Sequence, residues 1–514
     1  MLRTDLIASV PELLRRQAEA RGSQTAYTDA RSSITYGELL ETTANLAGHL
    51  QALNVAAGDS VAIFLPNSIE WVQTCLATLR AGAVSVPISY EASEPEIAYR
   101  LDDADCRVVI TTDEKAETVR RAAGGRALEL ILVDRGPAKF DGARFSRLVS
   151  KASLQRPRDP TDTKGTSFII YTSGTTGRAK GVLLSQHSML WVAAASWAPI
   201  AGITADDHVL SPLPLFHSYG LNLSVLSVLA IGCREHILEK FSTQEVLRLL
   251  QGGGFTFMPG VPTMFHYLVQ ASKEGMCFPD LRLCVSAGAI MPATLNREFE
   301  KRFNVPLLDG YGITETATMV VMNWAHGGRV LGSCGLPLPG LAVRLVEPAT
   351  GRDVGANEEA ELIVRGPCLM LGYHNKPQET AAALRNGWYH TGDLARADEN
   401  GFITITGRLK ELIIRGGQNI APAEIEEVAC LYDGVGDCAV IGVPHEHLGE
   451  VPVIFVTPKG GQDVSGDGLL AHCRAHLSAY KVPQSVHVVD EIPRTGSGKI
   501  MRFKLRAHLE QPQA

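Results

Sequence analysis

The sequence predicts an α/β protein in which a large N-terminal domain of α/β subdomains, with a small β subdomain, precedes a small α+β C-terminal domain. Before Leu341, short runs rich in β-branched residues alternate with amphipathic segments of helical length. From Leu341 the pattern changes to closely spaced strands with glycine-rich turns, and after Gly407 a new alternation begins. We therefore divide the chain into residues 1–407 and 408–514, the second part being long enough for a separate domain.

The elements of the large domain follow in order. Ser9 followed by Pro11 is typical of a helix start, and this helix is predicted to end at Ala20. Thr35 and Glu38 have the spacing of a capping box and predict a second helix. The β-branched runs then predict strands at residues 61–65, 108–111, 130–133, 168–171 and 255–258.

The last third of the chain is read from similar patterns. Strands of the small β subdomain are predicted at residues 343–346, 361–365 and 402–406. The C-terminal domain is predicted to contain a helix at residues 422–431 and strands at residues 411–414, 439–443, 452–456 and 486–490. No long linker separates the two parts, so the join near Gly407 is predicted to be a short hinge.

Composition and charge narrow the functional classes. The 514 residues are 45% hydrophobic and 20% charged, which is typical of a soluble globular protein. The net charge of -7 provides no excess of positive charge for a phosphate backbone, so we expect no nucleic-acid partner. The ten cysteines include no C-x-x-C pair and indicate reduced thiols. No secretory signal and no apolar segment long enough for a membrane span are present, so the predicted location is cytoplasmic.

The most informative segment is a loop after an apolar strand, Y-T-S-G-T-T-G-R-A-K-G at residues 171–181. Its glycines let backbone N–H groups converge, its hydroxyls add donors and Lys180 adds positive charge, which together suit a polyphosphate. It is not a Walker A loop, because Ala179 stands where that motif requires glycine and residues 182–184 resemble a strand. Residues 496–500 also lack the Ser or Thr and the upstream glycine of that motif. A P-loop kinase or GTPase is therefore excluded.

Four further motifs accompany this loop: G-Y-G-I-T-E at residues 310–315, Y-H-T-G-D at 389–393, G-R-L-K-E at 407–411 and P-R-T-G-S-G-K at 493–499. In this order and spacing, the five motifs resemble those of the adenylate-forming superfamily of acyl-CoA synthetases, adenylation domains and firefly luciferase. The resemblance covers nearly the whole chain. It implies an enzyme that joins a carboxylic acid to the α-phosphate of ATP, releases pyrophosphate, and then passes the acyl group from AMP to coenzyme A.

The resemblance also implies a nucleotide site. The loop would hold the β- and γ-phosphates, and Glu315 with Thr172 would hold Mg²⁺, a hard cation suited to oxygen ligands. Tyr311 would stack on adenine, Asp393 would accept hydrogen bonds from both ribose hydroxyls, and Arg408 would contact ribose or phosphate. The full set of positions implied to bind ATP or AMP is Thr172, Ser173, Gly174, Thr175, Thr176, Gly177, Lys180, Gly288, Asp309, Gly310, Tyr311, Gly312, Thr314, Asp393 and Arg408.

Catalytic roles are implied for Lys499, Glu315 and His217. Lys499 matches a lysine that reaches the carboxylate and α-phosphate oxygens, where a compact cation on a flexible stem can follow the moving charge. Because two steps share one site, the C-terminal domain would rotate about a hinge at Lys410. In the second orientation, the tunnel for the pantetheine arm of coenzyme A would be lined by Arg415, Gly416 and Gly417.

The substrate class is narrowed by the residue after Phe216. By the same resemblance, amino-acid-activating relatives carry an aspartate there to pair the substrate ammonium, whereas this chain has His217, which favours a carboxylic acid without an amino group. Fatty or aromatic acid metabolism is the expected setting, and fatty, aromatic, dicarboxylic and secondary-metabolite acids all remain open. The implied walls of the acyl pocket are His217, Tyr219, Ala287, Gly288, Gly312 and Met319. No insertion interrupts residues 407–426, which by resemblance favours coenzyme A as the acceptor.

Two alternatives remain open at this point. The acceptor thiol could be the phosphopantetheine arm of an acyl carrier protein, because that thiol is chemically like the thiol of coenzyme A. The chain could also be a catalytically idle nucleotide-binding homologue, although it retains Thr172, Glu315, Asp393, Arg408 and Lys499. The motifs select neither one particular acid nor an oligomeric state.

Overall fold

The computed structural model describes residues 2–135, 140, 142–172, 179–416, 418–460, 462–494 and 500–510. The strands among them form four sheets, three built from residues before 409 and one from residues after 412. This mixed α/β fold, with a large N-terminal and a small C-terminal domain, confirms the predicted fold class.

The first sheet contains the strand that leads into the loop at residues 171–181. In spatial order its eight strands are Gly372–Tyr373, Lys180–Ser185, Thr166–Thr172, Val84–Pro87, Ser60–Phe64, Val108–Thr112, Glu129–Val133 and Ala143–Arg144. From Thr166–Thr172 to Ala143–Arg144 every neighbouring pair is parallel, whereas the two edge pairs next to Lys180–Ser185 are antiparallel. The strands predicted near residues 61, 108, 130 and 168 all lie in this sheet.

The second sheet carries the motif at residues 310–315 at the end of one strand. Its nine strands are, in spatial order, Leu336–Pro337, Val321–Met322, Leu307–Tyr311, Leu283–Ser286, Phe257–Gly260, His208–Ser211, Arg234–Ile237, Thr25–Thr28 and Ser33–Thr35. The strand predicted at residues 255–258 begins at Phe257. The central strands are parallel, and the two ends of the sheet are closed by antiparallel pairs.

The third sheet is the small β subdomain predicted after Leu341. Its strands are Ala342–Val346, Ala360–Arg365, Trp388–Ala397 and Leu384–Arg385 in spatial order, with Ile403–Arg408 paired to Trp388–Ala397. All of these pairs are antiparallel. The proposed domain boundary after Gly407 therefore falls at the end of the last strand of this sheet.

The fourth sheet forms the C-terminal domain. Its strands are Gln418–Ile420, Ile413–Arg415, Gly449–Pro458 and Val435–His445 in spatial order, with Val486–Val488 paired to Gly449–Pro458. The strand predicted at residues 411–414 was wrong at its start, because Leu409–Glu411 is a 3-10 turn. The Leu412 N–H donates to the Arg408 carbonyl at 3.1 Å, which closes that turn and delays the strand to Ile413.

Local helix signals are confirmed. The first helix begins at Val10 after Ser9, and Thr35 and Glu38 form the predicted capping box, with the Thr35 N–H donating to Glu38 Oε2 at 2.8 Å. The predicted helix at residues 422–431 ends at Ala429. The α-helices are Val10–Arg21, Tyr36–Ala52, Ile69–Arg80, Glu94–Asp103, Asp113–Ala123, Phe145–Ser150, Gln186–Val192, Ser218–Gly220, Val228–Ile231, Thr243–Gln251, Pro262–Ala271, Ala293–Phe303, Pro377–Ala383, Pro422–Ala429, Gly466–His476 and Arg502–Glu510.

Two helices change to π-helical geometry inside the largest apolar core. Ala193–Trp197 continues the helix that begins at Gln186, and Leu221–Ser227 joins the short helices on either side of it. Asn222, which is fully buried, accepts a hydrogen bond from Trp197 Nε1 at 2.7 Å and donates to the Met189 carbonyl at 2.8 Å. A polar side chain therefore ties the two π-helical segments together. Among the residues described, no helix has the length and apolar character needed to cross a membrane.

Candidate active site

Three motif residues meet where the second and third sheets approach each other. Asp393 and Arg408 are cross-strand neighbours in the third sheet, and Tyr311 ends the strand Leu307–Tyr311 of the second sheet. The Tyr311 hydroxyl donates to Asp393 Oδ2 at 2.5 Å, and Arg408 Nε lies 2.7 Å from Asp393 Oδ1. We call Tyr311, Asp393 and Arg408 the Asp393 cluster.

Burial and neighbouring charges shift the pKa values of Arg408 and Tyr311 in the Asp393 cluster. The Asp393 side chain is 3% exposed and the Arg408 side chain 32% exposed. Burial lowers the pKa of Arg408, but the nearby carboxylates, above all Asp393, outweigh it and raise the pKa above its ordinary value. Burial also raises the pKa of the Tyr311 phenol well above its usual range, so Tyr311 stays a neutral donor. The cluster thus presents a carboxylate held between a hydroxyl and a guanidinium.

A second group of residues connects Glu315, through Tyr373, to Lys180 and its strand partner Thr172. The hydroxyl of Tyr373 donates to Glu315 Oε1 at 2.9 Å, and the Met370 N–H donates to the Glu315 carbonyl at 2.8 Å. Lys180 Nζ lies 5.0 Å from the centre of the Tyr373 ring and forms an ion pair with Glu379. Thr172 is the cross-strand neighbour of Lys180. We call Thr172, Lys180, Glu315 and Tyr373 the Glu315 cluster.

The Glu315 cluster combines a cation with hard oxygen donors. Burial raises the pKa of Glu315, with only partial opposition from the Tyr373 hydroxyl and other nearby groups. The edge strand Gly372–Tyr373 pairs with Lys180–Ser185, which brings Tyr373 beside the loop. Five of the predicted phosphate-binding residues, Ser173, Gly174, Thr175, Thr176 and Gly177, lie outside the described residues.

Two glycines occupy positions that a larger residue would strain. One lies in the turn at residues 309–319 and the other follows the neighbouring strand Leu283–Ser286. A Cβ atom on Gly312 would lie 2.0 Å from the Thr318 carbonyl oxygen, so no larger residue fits there. Gly288, on the neighbouring segment, has a φ of 89°, which strains any residue with a side chain. The close approach of Thr318 therefore requires glycine at position 312, and the backbone conformation favours it at position 288.

Asp309 and Thr314 flank this turn. Asp309 is 3% exposed, and burial raises the pKa of its carboxyl group well above the usual range. It accepts a hydrogen bond from the Gly310 N–H at 3.0 Å. The Thr314 and Ser218 hydroxyls lie 3.1 Å apart and connect the turn to the segment that carries His217. Asp309 and Gly310 thus precede Tyr311 on the strand Leu307–Tyr311, and Thr314 begins the 3-10 turn that follows.

The predicted acyl-pocket residues come from three elements around the same turn. His217 caps the helix Ser218–Gly220, with Nδ1 accepting the Tyr219 N–H at 3.3 Å, and burial lowers its pKa to about 4. The imidazole is therefore neutral near pH 7, with its proton on Nε2 because Nδ1 is an acceptor. The Tyr219 hydroxyl donates to the Val285 carbonyl at 3.2 Å, and its ring stacks on Trp197 with centroids 5.9 Å apart.

Small and flexible side chains complete this region. Ala287 is 2% exposed and follows the strand Leu283–Ser286, and Met319 is fully buried, with its sulfur near Gly310. The sequence analysis missed Trp197, whose ring stacks on Tyr219, and Asn222, which accepts a hydrogen bond from Trp197 Nε1. The signal for Asn222 was a single amide in an otherwise apolar stretch of the chain.

The residues predicted for the hinge, the coenzyme A tunnel and the catalytic lysine lie in the C-terminal part of the chain. Lys410 is exposed in the turn Leu409–Glu411, two residues after Arg408. Arg415 Nη1 donates to the Tyr480 carbonyl at 2.7 Å, and the Gly416 N–H donates to the Leu448 carbonyl at 2.7 Å, both within the C-terminal domain. Gly417 and Lys499 lie outside the described residues.

The residues on either side of the segment that contains Lys499 are anchored by ion pairs. Arg494 Nη2 lies 2.9 Å from both carboxylate oxygens of Asp437. Arg502 lies 2.9 Å from Glu426 and 3.2 Å from Glu411, the residue after Lys410. The anchors of residues 495–499 are therefore linked to the predicted hinge.

Comparison with known proteins identifies the family. A family model described as AMP-binding enzyme matches residues 14–374, and one described as AMP-binding enzyme C-terminal domain matches residues 424–499. Feruloyl-CoA synthase from an Amycolatopsis species is 36% identical over 493 residues, which cover 96% of this chain and 97% of that protein.

Solved structures show the same architecture. ATP-bound MatB from Rhodopseudomonas palustris has a TM-score of 0.89 at 30% identity, covering 98% of this chain and 99% of that chain. A benzoate CoA ligase from Burkholderia xenovorans LB400 has a TM-score of 0.89 at 28% identity, covering 97% of this chain and 99% of that chain. The resemblance predicted from the five motifs is confirmed, and the chain belongs to the AMP-binding enzyme family, the adenylate-forming superfamily.

Proposed function

We propose that this chain is an ATP-dependent acid–CoA ligase that acts on an aryl or alkyl carboxylic acid whose only charged group is the reacting carboxylate. In the first step, a carboxylate oxygen attacks the α-phosphorus of ATP and pyrophosphate leaves, which gives an acyl-AMP. In the second step, the thiol sulfur of coenzyme A attacks the acyl carbonyl carbon and AMP leaves. The observation that carries this proposal is the Asp393 cluster, in which two distant motifs converge on one buried carboxylate.

The two clusters suit the two ends of ATP. Asp393 has two acceptor oxygens for the ribose hydroxyls, and its contacts with Tyr311 and Arg408 hold it in one orientation. Lys180 supplies positive charge at the start of the strand that follows the loop, where the β- and γ-phosphates would lie. Nucleotide binding would displace Glu379 from Lys180, because phosphate oxygens compete for the same cation.

The Glu315 cluster fits a bound Mg²⁺. Mg²⁺ is usually held by one or two protein oxygens together with phosphate oxygens, and Glu315 and Thr172 offer a carboxylate and a hydroxyl. When bound, the ion neutralises charge on the phosphates. Tyr373 orients the Glu315 carboxylate by donating to Oε1 at 2.9 Å.

Lys499 is proposed as the residue that stabilises the adenylation transition state. Negative charge moves from the attacking carboxylate to the leaving pyrophosphate, and a lysine can follow it better than a rigid guanidinium. The ion pairs of Arg494 and Arg502 support this role, because they anchor the chain on both sides of residues 495–499. Rotation about Lys410 would then replace Lys499 by the Arg415 to Gly417 segment for the thioester step.

The acyl pocket supports an acid without an amino group. Residues 218–231, which carry Tyr219, contain no charged residue. The position after Phe216 is a neutral histidine rather than an aspartate, so a buried substrate ammonium would have no counter-ion. The stacked rings of Tyr219 and Trp197 and the small Ala287 favour a flat or narrow apolar acyl group.

A screen of acids tests the proposal. Pyrophosphate release and AMP release are measured with cinnamic, benzoic, fatty, dicarboxylic and amino acids, each with and without coenzyme A. We expect pyrophosphate release with one or more acids whose only charged group is the reacting carboxylate. We expect acyl-CoA and AMP to form only when coenzyme A is present. Preference for an amino acid would contradict the pocket assignment.

The same screen separates the alternatives. Acyl transfer to a phosphopantetheinylated carrier protein, but not to coenzyme A, would favour the carrier-loading ligase. Absence of pyrophosphate release with every acid would favour the idle homologue. Lys504→Ala, on the exposed face of the last helix, serves as a matched control for Lys499→Ala.

A further inference from the structure

Two cysteine thiols of the C-terminal domain contact each other, and neither belongs to the Asp393 cluster or the Glu315 cluster. Cys430 follows the helix Pro422–Ala429, and Cys438 lies on the strand Val435–His445. Their Sγ atoms are 3.4 Å apart. A disulfide needs an S–S distance of about 2.0 Å, so closure requires the two sulfurs to approach by only slightly more than 1 Å.

The two thiols differ in access to solvent. Cys430 is exposed, whereas Cys438 is 3% exposed and its Sγ donates to the Glu426 carbonyl at 3.5 Å. The contact with Cys430 and burial both raise the pKa of the Cys438 thiol. An oxidant in solution would therefore meet Cys430 first, with Cys438 held behind it as the resolving thiol.

Both cysteines lie beside the anchors of residues 495–499. Asp437, which precedes Cys438, pairs with Arg494 through both carboxylate oxygens at 2.9 Å. Glu426, one helical turn before Cys430, pairs with Arg502 at 2.9 Å and accepts the Val440 N–H at 2.7 Å. Movement of either sulfur is thus transmitted directly to the residues that flank Lys499.

We propose that Cys430 and Cys438 form a redox-sensitive dithiol whose closure to an intramolecular disulfide slows the adenylation half-reaction. The modification goes beyond the proposed ligase activity, and its effect on rate rests on the proposed role of Lys499. The oxidant is a small-molecule disulfide such as oxidised glutathione.

The exchange proceeds in two balanced steps. The Cys430 thiolate attacks one sulfur of oxidised glutathione, which forms a mixed disulfide and releases one glutathione thiolate. Cys438 then loses its proton to solvent and attacks the Cys430 sulfur, which forms the intramolecular disulfide and releases the second glutathione. The two protein thiols are oxidised, and one glutathione disulfide is reduced to two glutathione molecules.

Formation of the Cys430–Cys438 disulfide should slow adenylation, because that step depends on the position of the catalytic lysine. Drawing the helix end at Cys430 toward Cys438 shifts Glu426 and Asp437, and with them their ion-pair partners Arg502 and Arg494. A displacement of about 1 Å at a catalytic group costs up to about 10²-fold in rate. We therefore expect adenylation by the oxidised protein to fall by about 10- to 100-fold and to recover on reduction.

Peptide mapping detects the disulfide without any reference to activity. The full-length protein is incubated with oxidised and reduced glutathione at fixed ratios and then alkylated. Trypsin leaves both cysteines in one peptide, residues 416–459, because no lysine or arginine lies between Arg415 and Lys459. Further cleavage before Asp433 separates the two cysteines unless a disulfide joins them. Joined fragments that dithiothreitol separates would support the proposal.

Activity measurements complete the test. Acid-dependent pyrophosphate release is measured for oxidised, reduced and re-reduced protein, and for the variants Cys430→Ser and Cys277→Ser. Cys277 is the other exposed cysteine and provides the matched control. We expect Cys430→Ser to resist oxidation and Cys277→Ser to respond like the unmodified protein.

Three results would overturn the proposal. These are separate fragments after oxidation, a stable mixed disulfide at Cys430 alone, and a joined peptide without loss of pyrophosphate release. An inactive reduced protein would instead count against the proposed ligase function, so the two failures are distinguishable.

Discussion

The substitution Glu235→Gln tests how one buried carboxyl group affects the stability of the folded protein. Glu235 lies on the strand Arg234–Ile237 and is fully buried, and within the described residues neither carboxylate oxygen meets a hydrogen-bond partner. Burial raises the pKa of this carboxyl group well above its usual range, and the nearby Ser224 hydroxyl opposes the shift only in part. Burial therefore favours the protonated form of Glu235 in the folded protein.

The pH dependence of stability follows from this difference. In the unfolded chain a glutamate ionises near pH 4.3, so above that pH the unfolded state binds fewer protons than the folded state. The stability contributed by Glu235 is fully present below the unfolded pKa and is lost as the pH rises toward the folded pKa. Between the unfolded and the folded pKa, one such group lowers the free energy of unfolding by roughly 1 to 1.5 kcal/mol per pH unit, which gives an upper bound of about 3 kcal/mol between pH 5 and pH 7.

Glutamine does not titrate, so the variant should lack this loss. Equilibrium urea unfolding, followed by tryptophan fluorescence at pH 5 and pH 7 at one ionic strength, measures the difference. Relative to the unmodified protein, Glu235→Gln should gain up to about 3 kcal/mol in the free energy of unfolding as the pH rises over this interval. Glu117→Gln, at an exposed position of the helix Asp113–Ala123, should show no such gain. Parallel curves for Glu235→Gln and the unmodified protein would refute the argument.

Four further predictions concern catalysis. Lys499→Ala should lower adenylation by about 10²- to 10³-fold and thioester formation from supplied acyl-AMP much less, and equal losses in both half-reactions would contradict its role. Lys410→Pro should keep acid-dependent pyrophosphate release but form thioester poorly, because proline fixes φ near about -65°; a melting curve excludes unfolding, and a normal thioester rate would move the hinge elsewhere. Glu379→Gln should lower the KM for ATP by up to about fivefold, because it frees Lys180 from a partly exposed ion pair; an unchanged or higher KM would show that Glu379 does not compete with phosphate. Because the pKa of His217 is lowered to about 4, rate–pH profiles of the unmodified protein and His217→Ala should run parallel between pH 5 and pH 8, and an inflection lost with the histidine would show that it titrates in that range.

Local features of this chain follow from its sequence because they depend on neighbouring residues. The capping box of Thr35 and Glu38 is closed by contacts across three positions, and β-branched runs form strands wherever their backbone can pair. The motif residues were identified by their resemblance to a known family, and at Gly312 the structure adds a local reason, because a larger residue would clash with Thr318. The family and the fold class could therefore be predicted from the sequence alone.

Contacts between distant segments were decided by the tertiary structure alone. The hydrogen bond between Tyr311 and Asp393 spans 82 positions, and Tyr373, which orients Glu315, belongs to no motif that was recognised. The 3-10 turn Leu409–Glu411 delays the start of the strand predicted at residues 411–414 to Ile413, because backbone hydrogen bonding closes the turn first.

The same physical reason explains the π-helical segments and the cysteine pair. Asn222 is polar in an apolar run, and only packing against Trp197 and Met189 provides its partners. Cys430 and Cys438 carry no spacing signal, because a helix end and a strand bring them together through the fold. Sequence determines which groups are available for chemistry, whereas packing of sheets against helices determines which of them meet.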